Sequence, residues 1–166
     1  MRKVIGIGET ILDIIFKNEQ PTAAKPGGST FNSMITLGRL GVNTEFISEV
    51  GRDRLGKQIK EFLAENNVKA DNVYDYDGGK TALSLAFLDE NMNADYLFYK
   101  NDAAQKLDYV MPKIEENDII VIGSFFSIND ALRENLTYLL DEAKRKKAII
   151  YYDVNFRKNR KSQVRF

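Results

Sequence analysis

The 166-residue sequence contains no cysteine and no histidine. Without cysteine there are no disulfides and no thiolate metal sites. Without histidine there is no Ser-His nucleophile pair, no imidazole general base and no His-bound zinc. Acid–base chemistry must fall to carboxylates, lysines or tyrosines. An excess of either charge is missing too. Lys and Arg number 24 and Asp and Glu 24, so no global basic field favours nucleic acid as a partner. No apolar run approaches the ~20 residues of a membrane span. The first residues enter a strand-like run with no leader pattern. The expectation is a cytoplasmic protein with no membrane partner. A 43% hydrophobic and 29% charged composition fits one soluble domain with a sizeable core.

Val4-Ile5-Gly6-Ile7-Gly8 reads as a short buried strand ending in glycines. A dinucleotide fingerprint would need a third glycine where Ile11 stands, followed at once by a helix. Neither is present, which argues against a nicotinamide oxidoreductase. Instead 11–16 continues as a second extended piece with Asp13 set among apolar residues. A charge there needs a reason. It either faces water on an edge strand or binds ligand hydroxyls. Gly27-Gly28-Ser29-Thr30-Phe31-Asn32 then opens a helix that carries Phe31, Met34, Ile35 and Leu40 and stops at Gly41. One reading is a plain turn with Ser29 as N-cap. The other is a cradle. Glycines let a ligand approach the backbone, the first-turn amides face it, and Asn32 adds a donor and an acceptor.

Residues 44–50 read as a strand, followed by a helix with Asp53 as N-cap and Leu55, Ile59, Phe62 and Leu63 on one face. Asp53 is read as structural. Near Gly78-Gly79-Lys80-Thr81 a Walker A loop would need a glycine where Tyr74 stands, so the glycines mark a turn. The period then changes to two. Residues 81–89 and 94–100 form a hairpin around Glu90-Asn91-Met92-Asn93. Residues 107–114 are weakly helical and broken by Pro112. Residues 118–123 form a buried strand. Asn129 caps a long helix carrying Leu132, Leu136, Leu139, Leu140 and Ala143, which ends in the basic run 144–147. A further buried strand, 148–153, leads into Asp153-Val154-Asn155-Phe156-Arg157 and a basic tail.

Four apolar strands alternating with helices predict a parallel sheet covered by helices, with ligands bound outside the carboxyl ends of the strands. The pieces 11–17, 81–89 and 94–100 fall outside that pattern. They predict a small antiparallel flap over the same edge, able to exclude water.

In this order the motifs resemble the amino-terminal half of a ribokinase-like PfkB carbohydrate kinase, in the fructokinase and 2-keto-3-deoxygluconate kinase branch. Gly8-Glu9 with Leu12-Asp13 is similar to the family's opening strand. Gly27-Gly28-Ser29 with Asn32, Gly38-Arg39-Leu40-Gly41 and Val50-Gly51-Arg52-Asp53 with Gly56 resembles its first signature. Thr81-Ala82 and Phe98-Tyr99-Lys100 with Ala103-Ala104 resemble the lid strands, and Asp153-Val154-Asn155-Phe156-Arg157 the D-x-N-x-R segment. Two residues depart from the pattern. Met34 replaces a small residue after the asparagine, and Lys100 replaces an arginine, losing a planar bidentate fork.

The resemblance implies an α/β fold, a ribokinase-like parallel sheet with a small β lid. Residues 1–166 would be the amino-terminal part of one kinase domain, with lid strands at about 11–26 and 81–100. It implies ATP-dependent phosphorylation of a primary sugar hydroxyl, fructose first, with 2-keto-3-deoxygluconate and ribose as alternatives. Asp13, Gly27, Gly28 and Asn32 would hold the sugar. Tyr99 and Lys100 would close from the lid. Asn155 and Arg157 would face a sugar substituent or the phosphoryl group. Mg²⁺ would accompany ATP, K⁺ is an allowed activator, and lid strands would join a homodimer. The family runs to about twice this length. Its proton-accepting aspartate and nucleotide pocket would lie beyond Phe166, which leaves a non-catalytic sugar-binding fragment as the other reading.

Overall fold

In a computed structural model describing residues 2–100 and 106–156, six strands form one parallel sheet. Strand β1 (Lys3–Ile7) lies inside it. The five residues KVIGI have too little polarity for an edge, and four of them are buried. β2 (Ile11–Lys17) and β3 (Gln20–Gly27) leave this sheet, and helix α1 (Ser29–Arg39) returns the chain to β4 (Asn43–Gly51), parallel to β1. Helix α2 (Arg54–Glu65) follows. The short β5 (Val68–Lys69) and β6 (Val73–Tyr76) then lie beside successive stretches of β4. Two and four residues carry no detectable period, which is why the sequence does not announce them.

After β7 (Leu83–Leu88) and β8 (Ala94–Tyr99), β9 (Ile119–Gly123) pairs with β1 on its other side. Helix α3 (Arg133–Arg145) then leads to β10 (Ile149–Asp153), parallel to β9 at the rim. Alternation along β1 sorts the two cores. Val4 packs with Phe31, Met34, Phe46, Ile59 and Leu63 under α1 and α2. Ile5 and Ile7 pack with Ile120, Leu132, Leu136 and Leu139 under α3. Met34 is accommodated by Gly6: a Cβ there would stand 2.5 Å from Met34 Cγ. The long Met34 side chain on the helix is thus matched by a glycine on the strand below.

Several local expectations are corrected. Gly28, not Ser29, is the N-cap of α1, with no side-chain cap bond. Leu40 falls past the last turn and is 74% exposed. Residues 106–115 hold no helix. Pro112 removes a donor, and Leu107, at φ 48°, points its side chain into the α3 core. Asn129 accepts from the Ala131 amide and so caps a single 3₁₀ turn, Asp130–Leu132, ahead of α3. β10 is not buried: Tyr151 is 60% exposed and Ile149 47%.

The remaining strands form a second sheet in the order β3-β2-β7-β8. Its outer pairs are antiparallel, but β2 and β7 run parallel, so the lid is mixed. Pro21 and Pro26 suit β3 because an edge strand can forgo donors. Phe16 and Phe87, register partners, stack at 4.7 Å. Among the described residues, no helix is long and apolar enough to cross a membrane.

Candidate functional site

A cleft of about 510 Å³ opens where the carboxyl ends of the parallel strands meet the lid. Gly8 and Glu9 leave β1 there, Gly123 and Ser124 end β9, and Asn155 and Phe156 follow β10. The first turn of α1 contributes Ser29, Thr30 and Asn32 behind Gly28. The lid contributes Asp13 from β2 and Asp95, Tyr96 and Phe98 from β8.

The glycine turn is built for close approach. Gly28 has φ 138°, a conformation L side chains rarely adopt, and a Cβ there would stand 2.3 Å from the Glu9 carbonyl oxygen. The neighbouring Gly27 carbonyl accepts from the buried Thr10 hydroxyl at 3.3 Å. The connection between β1 and β2 therefore braces the start of α1. Beside it Asp13 is half-buried, and the Ser84 hydroxyl donates to its Oδ1 at 2.5 Å. Burial pushes the Asp13 carboxyl above its ordinary value, and the Ser84 bond offsets this only in part.

The two feet of the β7–β8 hairpin are tied to the main sheet. At the first, Thr81 donates from its amide and hydroxyl to Asp53, at 2.8 and 2.7 Å. Asp53 also caps α2 through the Leu55 and Gly56 amides. Burial opposes ionisation of Asp53, but these hydrogen bonds outweigh it and hold the carboxyl below its ordinary range. At the second foot, Lys100 forms an ion pair with Glu9, and its Nζ stands 5.5 Å from the centroid of the Phe98 ring. Beyond the lid, Glu49 Oε2 accepts from the Lys106 and Leu107 amides. Its Oε1 is buried with no partner among the described residues, and burial raises this carboxyl's pKa.

Of the residues expected from sequence, Asp13, Gly28, Asn32 and Asn155 line this one cleft. Gly27 is next to it, holding Thr10. Tyr99 is 56% exposed and does not line it; Tyr96 and Phe98, of opposite parity on β8, do. Lys100 is engaged by Glu9. Arg157 and Ala103-Ala104 lie outside the described residues. Period two could not choose between the two faces of β8, because Tyr96/Phe98 and Leu97/Tyr99 are equally apolar. Ser84 had a signal that sequence reasoning passed over. Ala82, Ser84 and Ala86 form a small-residue phase within the hairpin, all three buried, where another strand comes close. Among the described residues no cluster of three or more acidic side chains could hold a metal ion.

The pattern of the pfkB family carbohydrate kinase matches residues 1–165. A probable chloroplastic fructokinase-6 of Arabidopsis thaliana is 28% identical over 93% of this chain and 43% of its own length. A fructokinase of Solanum tuberosum is 27% identical over 93% of this chain and 52% of its own. Among solved structures, an uncharacterized sugar kinase from Pyrococcus horikoshii in complex with ATP superposes with a TM-score of 0.78 at 26% identity, covering 93% of this chain and 53% of that one. The chain thus spans about half the length of the curated relatives it matches.

Proposed function

This chain belongs to the pfkB family of carbohydrate kinases, and we propose that it is the sugar-holding part of an ATP-dependent kinase acting on a primary hydroxyl, with fructose the first candidate. The observation that carries the reading is the convergence of Asp13, Gly28 and Asn32 on one cleft beneath a β lid at the carboxyl edge of the sheet. Of the curated relatives named above, one is a fructokinase and the other a probable fructokinase.

In this reading Asp13 accepts hydrogen bonds from sugar hydroxyls, with Ser84 fixing its rotamer. Gly28 lets the sugar reach the backbone at the start of α1, where unpaired amides favour oxygen ligands. Asn32 supplies one donor and one acceptor. Asn155 faces the substituent or phosphoryl group, and Arg157 is given the same role by the resemblance alone. Tyr96 and Phe98 cover the sugar from β8 and exclude water, which sharpens every polar contact beneath them. The work assigned to this chain is positioning. Mg²⁺ is assigned to the nucleotide phosphates, where it would neutralise charge during transfer. The aspartate that takes the hydroxyl proton, the nucleotide pocket and any K⁺ site are assigned, by the family resemblance, to the half of the relatives' length that this chain does not span. The exposed β8, with Leu97 and Tyr99 on its outer face, suits pairing with a second lid.

A second reading, sugar binding without transfer, is favoured by the half-length match to the relatives. On the protein purified at its native length, a coupled assay for ADP release with fructose, 2-keto-3-deoxygluconate and ribose, beside calorimetric titration with each sugar, separates the two. Turnover fastest with fructose supports the kinase. Saturable fructose binding with no turnover supports the second reading. Binding of no sugar overturns both.

A further inference from the structure

We propose that Glu9 is a positioning residue that couples the glycine cradle to the lid through Lys100. This rests on the reading of the cleft as a sugar site, but its geometry stands by itself. The Glu9 backbone packs against Gly28, where its carbonyl oxygen leaves no room for a Cβ. The Glu9 side chain, in the same cleft, grips Lys100 at the exit of β8. One residue therefore touches both the turn that would receive the ligand and the strand that would cover it.

The two feet of the hairpin are pinned differently. The Thr81 foot is held by backbone and hydroxyl bonds to Asp53 and Gly51, away from the cleft. Among the described residues, the Lys100 foot is held by the ion pair to Glu9, whose carboxylate lines the cleft. Its side chains are 18% and 22% exposed. Most ion pairs among the described residues are far more exposed; the comparably buried one, Lys3–Glu45, joins neighbouring strands of one sheet. The Glu9–Lys100 pair instead joins the two sheets, and its partial burial limits screening by solvent. Lys100 also sits over Phe98, which lines the cleft. The grip of Glu9 therefore sets where the covering face of β8 lies. Loss of Glu9 should release β8 while β7 stays tied through Thr81 and β2.

Amide hydrogen exchange tests this without any sugar. Glu9→Gln should speed exchange across Ala94–Tyr99 roughly tenfold, the scale of one hydrogen bond to a charged group, with β1 and β4 unchanged. Lys100→Met should do the same, and the double variant should add little, because both singles remove one interaction. The charge swap Glu9→Lys with Lys100→Glu should restore protection of β8 and, with it, the affinity for fructose lost in the singles. Additive effects in the double variant, or unchanged exchange of β8 in both singles, would overturn the inference. If the native chain fails to bind fructose while the exchange pattern holds, the sugar-site reading falls and the coupling remains.

Discussion

Ser84 and Asp13, 71 residues apart in sequence, are direct partners across β7 and β2, and the Ser84 hydroxyl is bonded to the Asp13 carboxylate. This fixes one carboxylate oxygen, while the other lies beside Gly27, where a Cβ would stand 2.6 Å from it. Asp13→Ala should weaken fructose binding by about 10- to 100-fold, the range for a hydrogen bond to a charged group. Ser84→Ala should weaken it less, because it frees the rotamer without removing the acceptor. Burial raises the Asp13 pKa, so fructose affinity should fall with acidification at a pH above the ordinary 3.8 of an aspartate. Calorimetric titration over a pH series checks both. Unchanged affinity in Asp13→Ala would remove this residue from the sugar site.

Gly28→Ala forces a side chain into a left-handed conformation and against the Glu9 carbonyl oxygen at 2.3 Å. Strain of this kind costs on the order of 1–3 kcal/mol. The expected result is a lower unfolding midpoint in urea and loss of fructose binding. Gly41→Ala is the control. Gly41 also has positive φ, but a Cβ there meets nothing within 4 Å, so it should cost stability while sparing affinity.

Much of this arrangement was legible because strong periodic signals specify it. The alternation of apolar strands and helices gave a parallel sheet, and Asp53 was recognisable as a cap from its place before Leu55 and Ile59. The order of the motifs pointed to the family. What stayed hidden depends on long-range pairing. That β2 and β7 run parallel, that Glu9 meets Lys100, and that Tyr96 rather than Tyr99 faces the cleft are set by how two sheets dock. Local propensity carries no record of that. β10 misled for the same reason. Its apolar run reads as interior, yet it lies at the rim of the sheet with Tyr151 and Tyr152 exposed.

Asp53 joins α2 to the start of the lid, and its hydrogen bonds depress its pKa below 3.8. A depressed carboxylate contributes stability that is present above the unfolded value and lost as pH falls through the folded one. Asp53→Ala should therefore cost about 1–2 kcal/mol at neutral pH, the range for a lost N-cap. The gap from the native chain should hold down to about pH 3.8 and narrow below it. Urea midpoints at pH 7, 4 and 3 measure this, and a gap that grows in acid would contradict the assignment.

The lid presents Tyr96, Leu97, Phe98 and Tyr99 with exposures of 43–56%. If β8 pairs with a second copy, Leu97→Asp should convert a dimer to a monomer in light scattering at micromolar concentration, since like charges would then meet across the new edge. A native chain that is monomeric under those conditions would refute the pairing.

Glu49 shows the opposite linkage to Asp53. Its Oε2 is satisfied by two amides, its Oε1 is buried with no partner among the described residues, and burial raises its pKa above 4.5. A raised carboxylate contributes stability that is full below its unfolded value and lost as pH rises through the folded one. At neutral pH the native chain therefore forgoes stability that an uncharged side chain in this place would keep. Glu49→Gln keeps an acceptor for the Lys106 and Leu107 amides and removes the charge. It should raise the thermal midpoint at pH 7 and leave it unchanged below pH 4.5. Glu49→Leu should lower the midpoint at every pH, because it strands both amides without an acceptor. If Gln destabilises at pH 7 as much as Leu does, the charge itself is what the loop after the lid requires, and the unpartnered oxygen is serving a cation or donor that these residues do not supply.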